Sequence, residues 1–599
     1  MSKRARKGAG EQTWRGLGVS DGIVVGHVLR IHDGTRPVFR ATIGEEDIER
    51  ETHRLRAAVR LATRQLLAIK ARAETELGAD QAYIFDAHLL MLEDRKLLDD
   101  TEKYIRDERS NAEWAVRVVA DRLLAVYSEF KDEYLRERGS DIEDVTQRLL
   151  VALSGGELPN ARVLKENAVI VAENLLPSAV ADLDFEHARA IATDAGGWTS
   201  HTAIIARSLG IPAVVGLREL HRRARTGDVI IVDATRGDVI LHPSTATVEK
   251  YKAAARDEFE TRGVVAELAP AKLFTLDERE IWLRANLELP AEYAGVKRFG
   301  ARGIGLYRSE FLLSRHGSIP TEDEQYEAYK RIAELGGDDG ATLRLFDLGG
   351  DKIGRRTTEA EQNPALGLRA IRFSLQNQEV LRVQARAAYR ASVHGHLDIV
   401  LPMIMDLDDV RRSKKVLEEE RERLENENIP TGNIRIGAMI EVPSAVLLAD
   451  TIAREVDFFS LGTNDLVQYL LAVDRSNDDV ADWFRTLHPS VLQSIQRTLD
   501  AARSAGIPSI ICGEMAGTPA YAVILLGLGA TELSMTSSSI PRVRQVISAI
   551  SYSDAHEIAV RCLACGTADD VEEVVRVEYL ARWPQLFSTK TLPVNKHKT

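Results

Sequence analysis

Cysteine is the scarcest reactive side chain in this sequence: Cys512, Cys562 and Cys565 are the only three in 599 residues. Three thiols make no disulfide framework, and their scarcity fits a reducing compartment. Cys562 and Cys565 form a lone CxxC. Tetrahedral zinc needs two more ligands, and no second CxxC or HxxxH pair supplies them, so the pair reads as part of a helical face. Long apolar runs are missing as well. No stretch reaches the ~18 residues of a membrane-spanning helix, and the opening MSKRARKGAG is basic with nothing apolar behind it. Neither membrane insertion nor a secretory leader is expected, and the cytoplasm is the expected compartment. An excess of cations is lacking too. The 78 Lys and Arg against 91 Asp and Glu leave a net charge of −13, which argues against a nucleic-acid surface.

What is present is length, since 599 residues exceed what one hydrophobic core holds. Residues 13–39 open as a Gly-punctuated turn feeding a strand rich in Val and Ile. From Glu45 to about Ala79, the positions Ile48, Thr52, Leu55, Val59, Ala62, Leu66 and Ile69 alternate steps of four and three, the stripe of a long packed helix. Three more helical patterns follow, two opening on capping-box spellings, Ser110-x-x-Glu113 and Ser140-x-x-Glu143. Residues 40–152 therefore read as a helical bundle inserted into an α/β domain, which resumes over 153–243 with AVIVAEN, ARAIATDAGG, IPAVVG and DVIIVDA. The polar, helix-forming stretch 244–275 reads as a linker helix, and 1–12 and 589–599 as a disordered basic tail and a flexible tail. Over 276–588, short apolar runs alternate with helical patterns eight times: IWLRANL, GIGLYR, LRLFDL, HLDIVLPM, RIGAMIEV, FFSLGTN, PSIICGE and ELSMT. Eight such units predict a (β/α)8 TIM barrel, with chemistry at the C-terminal strand ends.

Polar residues recur where those runs stop: Arg308, Arg344 with Asp347, Glu441, Asn464 with Asp465, and Cys512 with Glu514. Surface charge would scatter along the helices, so this placement points to a binding site. Glu441 and Asp465 end neighbouring runs and can share Mg²⁺, which takes one or two carboxylates beside water and substrate oxygens. Either acid alone reads equally well as a helix cap or an ion-pair partner. The guanidinium forks of Arg308, Arg344, Arg369 and Arg475 match phosphate and carboxylate; singly, each also reads as a salt-bridged surface residue. Cys512 by its surroundings alone reads as core. A second candidate site is DAGGWTSHTAIIARSLGIPAVVG at 194–216. Gly196 and Gly197 permit a tight turn, Thr199 and Ser200 can cap a helix, and His201 stands near that helix's start, where an anion is stabilised. An imidazole there can accept a phosphoryl group; an ordinary cap beside a structural histidine spells the same pattern.

GGWTSHTAIIAR, GIGLYRSEFLL, FDLGGDK, IEVPSA, FFSLGTNDLVQYLLAVDR and ICGEMAG together resemble the signatures of the phosphoenolpyruvate (PEP)-utilising enzymes, specifically Enzyme I of the sugar phosphotransferase system. The likeness runs in order from about Gly16 to about Val574. It implies a swivelling phosphohistidine α/β domain with a helical insertion that binds the carrier HPr, followed by a PEP-binding TIM barrel that dimerises. It further implies phosphorylation of His201 on Nε2 and PEP binding by Arg308, Arg344, Asn464, Asp465 and Arg475, with Arg369 close by. Glu441 and Asp465 would hold Mg²⁺, and Cys512 would protonate the enolate to give pyruvate. The expected activity is transfer of the PEP phosphoryl group to His201 and then to a histidine of HPr, opening sugar uptake or its regulation. The short tail before Trp14 fits the branch without an N-terminal sensory domain. Two alternatives are a pyruvate phosphate dikinase or PEP synthase, for whose ATP-grasp domain the chain leaves no room, and a non-catalytic interaction protein. Three departures stand out: Leu176 replaces a threonine expected to touch the active histidine, Arg95-Lys96 replaces an acidic run on the carrier-binding segment, and Ile353-Gly354-Arg355-Arg356 replaces the usual sequence after GGDK.

Overall fold

The computed structural model describes residues 10–20, 22–31, 38–76, 88–89, 91–92, 95–128, 133–154, 168–175, 188–196, 202–203, 206, 211–253, 255, 272–288, 290–314, 319–348, 363–475, 477–587 and 592. The chain divides into two compact units, Met1–Glu260 and Thr261–Thr599.

The first unit is built on eight strands: β1 (Gln12–Arg15), β2 (Leu17–Ser20), β3 (Ile23–Arg30), β4 (Ala168–Ala172), β5 (Ala188–Thr193), β6 (Ala213–Val215), β7 (Val229–Asp233) and β8 (Asp238–Leu241). Their order in the sheet is β1-β8-β7-β3-β4-β5-β6-β2. The central ladder β3-β4-β5-β6 is parallel, and the outer pairings are antiparallel. AVIVA of β4 is buried throughout because both faces are covered. Val169 and Val171 pack on one side with Ala190, Ala192 and Val214, while Ile170 and Ala172 pack on the other with Ile191, Ala203 and Ala206. The period of two thus sends alternate residues into separate cores. Four-residue β1 and β2 form where the sequence suggests only a turn. Gly18 accounts for the tight entry, since a Cβ there would lie 1.8 Å from the Ala234 carbonyl oxygen.

Among the described residues, four long helices stand between β3 and β4: Ile48–Glu76, Arg95–Glu108, Ala112–Ser128 and Glu133–Leu153. The stripe read from the sequence faces inward, with Leu55, Ala62, Leu66 and Ile69 buried. The first capping box does not form, and the second spelling does not fall at a helix start. Ser110 lies in an isolated bridge with Thr42, and its buried hydroxyl has no hydrogen-bond partner. Glu51, from the first helix, instead accepts the Ala112 N–H at 3.0 Å, while Glu113 receives the Arg54 guanidinium at 2.5 Å. Ser140 falls inside the last helix, which starts at Glu133. Of the expected linker helix, residues 245–253 are helical, and 256–271 lie outside the described residues.

The second unit closes into a barrel of eight parallel strands: β10 (Glu280–Leu287), β11 (Ile304–Arg308), β12 (Ala341–Arg344), β13 (Leu397–Leu401), β14 (Ile436–Ile440), β15 (Phe459–Leu461), β16 (Ser509–Ile511) and β17 (Glu532–Thr536). All eight apolar runs are strands. Closure is direct, because β10 pairs in parallel with both β11 and β17; short β9 (Leu273–Phe274) adds an antiparallel edge. Leu306, Val400, Met439, Phe458, Ile510 and Cys512 cluster apart from the main core, contributed by β11, β13, β14 and β16 and by the flanks of β15 and β16. Such a layer is how a barrel fills its interior. Cys562 is buried on helix Tyr552–Leu563, but Cys565 lies beyond its end, so the two do not share the helical face that the spacing suggests.

The substitution of Glu51 by Ala leaves the Ala112 N–H without its acceptor and Arg54 half paired. It is expected to destabilise the bundle by about 1–3 kcal/mol, read from urea unfolding followed by far-UV circular dichroism; an unchanged transition would show that water replaces the carboxylate.

Candidate active site

The C-terminal ends of neighbouring barrel strands gather a dense set of charges. Arg344, last residue of β12, is buried and pairs with Glu310 at 3.0 Å and Asp347 at 3.2 Å. Arg369 grips Asp347 through Nε at 3.0 Å and Nη2 at 2.8 Å, and its Nη1 donates to the Tyr469 hydroxyl at 3.2 Å. Ala370, next in the chain, holds a left-handed φ of 51°, so the backbone is strained where it presents Arg369. Glu310 also accepts the Asp347 N–H at 2.7 Å, joining the loops after β11 and β12. Sequence reasoning passed over Glu310, although the YRSE that follows a strand was its signal.

Glu441 follows β14 directly and is 1% exposed. Its Oε1 accepts the Met403 N–H at 2.7 Å, whereas Oε2 has no hydrogen-bond partner among the described residues. Asp465, in the first turn of helix Thr463–Leu471, is likewise buried, and its Oδ1 likewise lacks a partner. Burial, then the Asp465 and Asp347 carboxylates, push the Glu441 carboxyl up to about 8, against the opposing pull of Arg344 and the Met403 N–H. For Arg344, burial alone would lower the pKa; Glu310, Asp347, Glu441 and Asp465 overcome it and raise the value. Gly462 is required beside this pair, since a Cβ there would lie 2.4 Å from Glu441 Oε2.

The arrangement suits a hard divalent cation. Four carboxylates face two guanidiniums, so the cluster carries excess negative charge, and two buried carboxylate oxygens point at no donor. Among the described residues, no group of three or more His, Cys, Asp or Glu side chains could hold a metal ion. Two carboxylates fit Mg²⁺, whose remaining positions go to water and substrate oxygens, and do not fit zinc.

Cys512 follows β16 and is 3% exposed. Its Sγ lies 3.2 Å from Ser460 Oγ and donates to the Leu461 carbonyl at 3.3 Å. Burial first, and the nearby Glu441 carboxylate among further causes, push the thiol up to about 11. Cys512 is therefore a protonated acid at neutral pH. Asn286 of β10 donates to the Cys512 carbonyl at 2.9 Å and accepts from Ser534 at 2.6 Å. Ser460 and Asn286, both missed from sequence, stand inside apolar runs rather than at their ends.

The remaining expected residues divide. Arg308 ends β11, reaches Glu288 at 3.4 Å and keeps an unpartnered, buried Nε. Asn464 exchanges hydrogen bonds with Glu514, accepting its N–H at 3.0 Å and donating to its carboxylate at 3.2 Å. Arg475 is exposed; its backbone N–H donates to Gln468 at 3.2 Å, and no side-chain bond ties it to the cluster among the described residues. In the first unit, Gly196 adopts φ 109° after β5, and Asp194 accepts the N–H groups of Leu220 at 2.7 Å and His221 at 3.0 Å. His201 and Leu176 lie outside the described residues, as do the side chains of Arg95 and Lys96 and the whole of 349–362. Thr202, next to His201, donates to the Leu175 carbonyl at 3.2 Å, and Ala203 and Ala206 are buried against the sheet.

The chain falls in the class of PEP-utilising enzymes. Three family models match in chain order: the N-terminal domain of PEP-utilising enzymes over 15–138, their mobile domain over 164–237 and their PEP-binding domain over 264–552. The phosphoenolpyruvate-protein phosphotransferase of Staphylococcus aureus is 39% identical over 563 residues, 94% of this chain and 98% of that one. Its counterpart from Geobacillus stearothermophilus is 40% identical over 568 residues, with the same coverage of 94% and 98%. A solution structure of an Enzyme I protein, 36% identical, covers 41% of this chain and 99% of that one, with a TM-score of 0.35. The chain belongs to the phosphoenolpyruvate-protein phosphotransferase family of PEP-utilising enzymes.

The Glu441 carboxyl has a measurable signature. In an unfolded chain it ionises near 4.5, in the folded chain near 8, so between these values the folded state holds a proton the unfolded state has released. The stability this contributes is complete below 4.5 and is lost as pH rises through 8. In metal-free buffer the Glu441→Gln variant should gain thermal midpoint relative to wild type from about pH 5 to about pH 8; a constant difference across that window would contradict the burial.

Proposed function

We propose that this chain transfers the phosphoryl group of PEP to Nε2 of His201 and then to a histidine of an HPr-like carrier, releasing pyruvate as the first step of a phosphotransferase system. The observation that carries this reading is the barrel mouth, where Glu441 and Asp465 offer unpartnered buried oxygens beside Arg344, and Cys512 stands protonated at the end of β16.

Arg308, Arg344 and Arg475, with Asn464, bind the phosphate and carboxylate of PEP, and Arg369 fixes Asp347 and so keeps Arg344 in place. Glu441 and Asp465 would hold Mg²⁺, which would supply Lewis-acid neutralisation of the charge on the phosphoryl group and the enolate. The His201 Nε2 lone pair attacks phosphorus; an N–P bond forms, the bridging O–P bond breaks, and its electron pair leaves with the enolate. Cys512 gives its Sγ proton to C3, a C–H bond forms as the enolate becomes a ketone, and solvent returns the proton to the thiolate. Attack by the carrier's histidine on phosphorus then restores His201.

The division into an α/β domain (13–39 and 153–243), a carrier-binding bundle (40–152), a linker (244–275) and a PEP-binding barrel (276–588) belongs to the same proposal, with homodimerisation through the barrel and residence in the cytoplasm. Support for the compartment is that no helix among the described residues is long and apolar enough to cross a membrane.

Two variants test the scheme in an assay of pyruvate release with PEP, Mg²⁺ and HPr. His201→Ala should abolish release. Cys512→Ala should slow it by about 10²–10⁴-fold, while a single turnover still labels His201, because N–P bond formation precedes the proton transfer. Undiminished pyruvate release by His201→Ala would overturn the assignment.

A further inference from the structure

The inserted helical bundle contains a groove of about 910 Å³ that the phosphoryl-transfer scheme does not use. It lies between the first helix of the bundle (Ile48–Glu76), the third (Ala112–Ser128) and the fourth (Glu133–Leu153), beside the segment 38–43. Its volume is that of a site for a small organic molecule. Two aromatic side chains line it: Phe39, 75% exposed, and half-buried Trp114.

Two further lining residues carry polar side chains. Thr146 and Gln147 are only 6% and 8% exposed, and neither side chain makes a hydrogen bond among the described residues, so their polar atoms are met by solvent. Both stand on the fourth helix and line the groove, where a bound molecule can take the place of water.

The charge lining the groove sets the sign of that molecule. Arg54 is neutralised by Glu51 at 2.8 Å and Glu113 at 2.5 Å, and Arg117 by Asp121 at 3.0 Å. Glu143, one turn before Gln147 on the same helix, also lines the groove and takes part in no ion pair or hydrogen bond among the described residues. The available charge is therefore a carboxylate, set near aromatic rings that favour a cation.

We propose that this groove binds a small organic cation carrying a flat apolar ring, its ammonium on Glu143, its ring against Trp114 and Phe39, and its polar edge on Thr146 and Gln147. The site is independent of PEP chemistry, so its failure and the failure of phosphoryl transfer are separately observable.

The test is calorimetric titration of the full-length protein with three probes of one ring system: tryptamine, indole and indole-3-acetate. Tryptamine should bind one to one, at least about fivefold more tightly than indole and more tightly still than the acid. Glu143→Gln should remove that advantage, and Glu143→Lys should invert it, so that indole-3-acetate becomes the preferred probe. Inversion cannot arise from a misfolded variant. Fluorotryptophan labelling, with Trp114 assigned through Trp114→Phe, should show the Trp114 resonance shifting on tryptamine addition. Absence of tryptamine binding, equal affinity for all three probes, or a Trp114 resonance that stays in place would each overturn the proposal.

Discussion

Everything at the mouth of the barrel depends on the buried guanidinium of Arg344. Four carboxylates, from Glu310, Asp347, Glu441 and Asp465, act on it, and Arg369 supplies the second fixed cation by gripping Asp347. Arginine suits the position because its charge survives burial, whereas a lysine there would be open to deprotonation. Without Arg344, four acids would share a dry pocket with one cation, and some would protonate or the loops would separate. With it, the cluster stays short of neutral, and that residual negative charge gives a divalent cation a reason to bind. The same ion pairs tie together the loops after β11 and β12, so charge balance and loop geometry are one constraint.

Much of this was legible in the sequence, and the reason is topological. In a barrel, each strand is short, apolar and buried, so eight such runs separated by helical patterns leave little else to build. Arg308, Arg344, Glu441, Asp465 and Cys512 stand out in the sequence because they end those runs or follow them closely. Residues inside a run were invisible: Ser460 and Asn286 look like the tolerated small or polar members of a buried strand until their partners, Cys512 and Ser534, are seen. The bundle was harder. A Ser-x-x-Glu spelling is a cap only if a helix starts there, and start sites follow from tertiary contacts as much as from local preference. Glu51 caps across to Ala112 over a separation of 61 residues, which no local pattern contains. Among the described residues β1 pairs with β8 alone, and β8 with β1 and β7, so four-residue pieces suffice, too short to show a period.

Burial pushes Glu441 and Cys512 the same way, toward their protonated forms, but the proposed chemistry asks opposite things of them. A thiol held near 11 is useful as it stands, since it keeps its proton until a carbanion-like carbon arrives to take it. A carboxyl held near 8 is a poor ligand until it ionises. Only a neighbouring positive charge reverses that, and the unpartnered Oε2 and Oδ1 are where such a charge has to sit. Cation binding and proton release at Glu441 are therefore linked, and a rise in pH strengthens the first by easing the second. The ionised Glu441 in turn acts on Cys512, raising its thiol further. Loading the metal position would put two positive charges where one proton was, so the ion would offset that rise and ease release of the Sγ proton. One carboxylate in this way connects the group that stabilises the enolate to the group that quenches it, which lets the two act in sequence on one small anion.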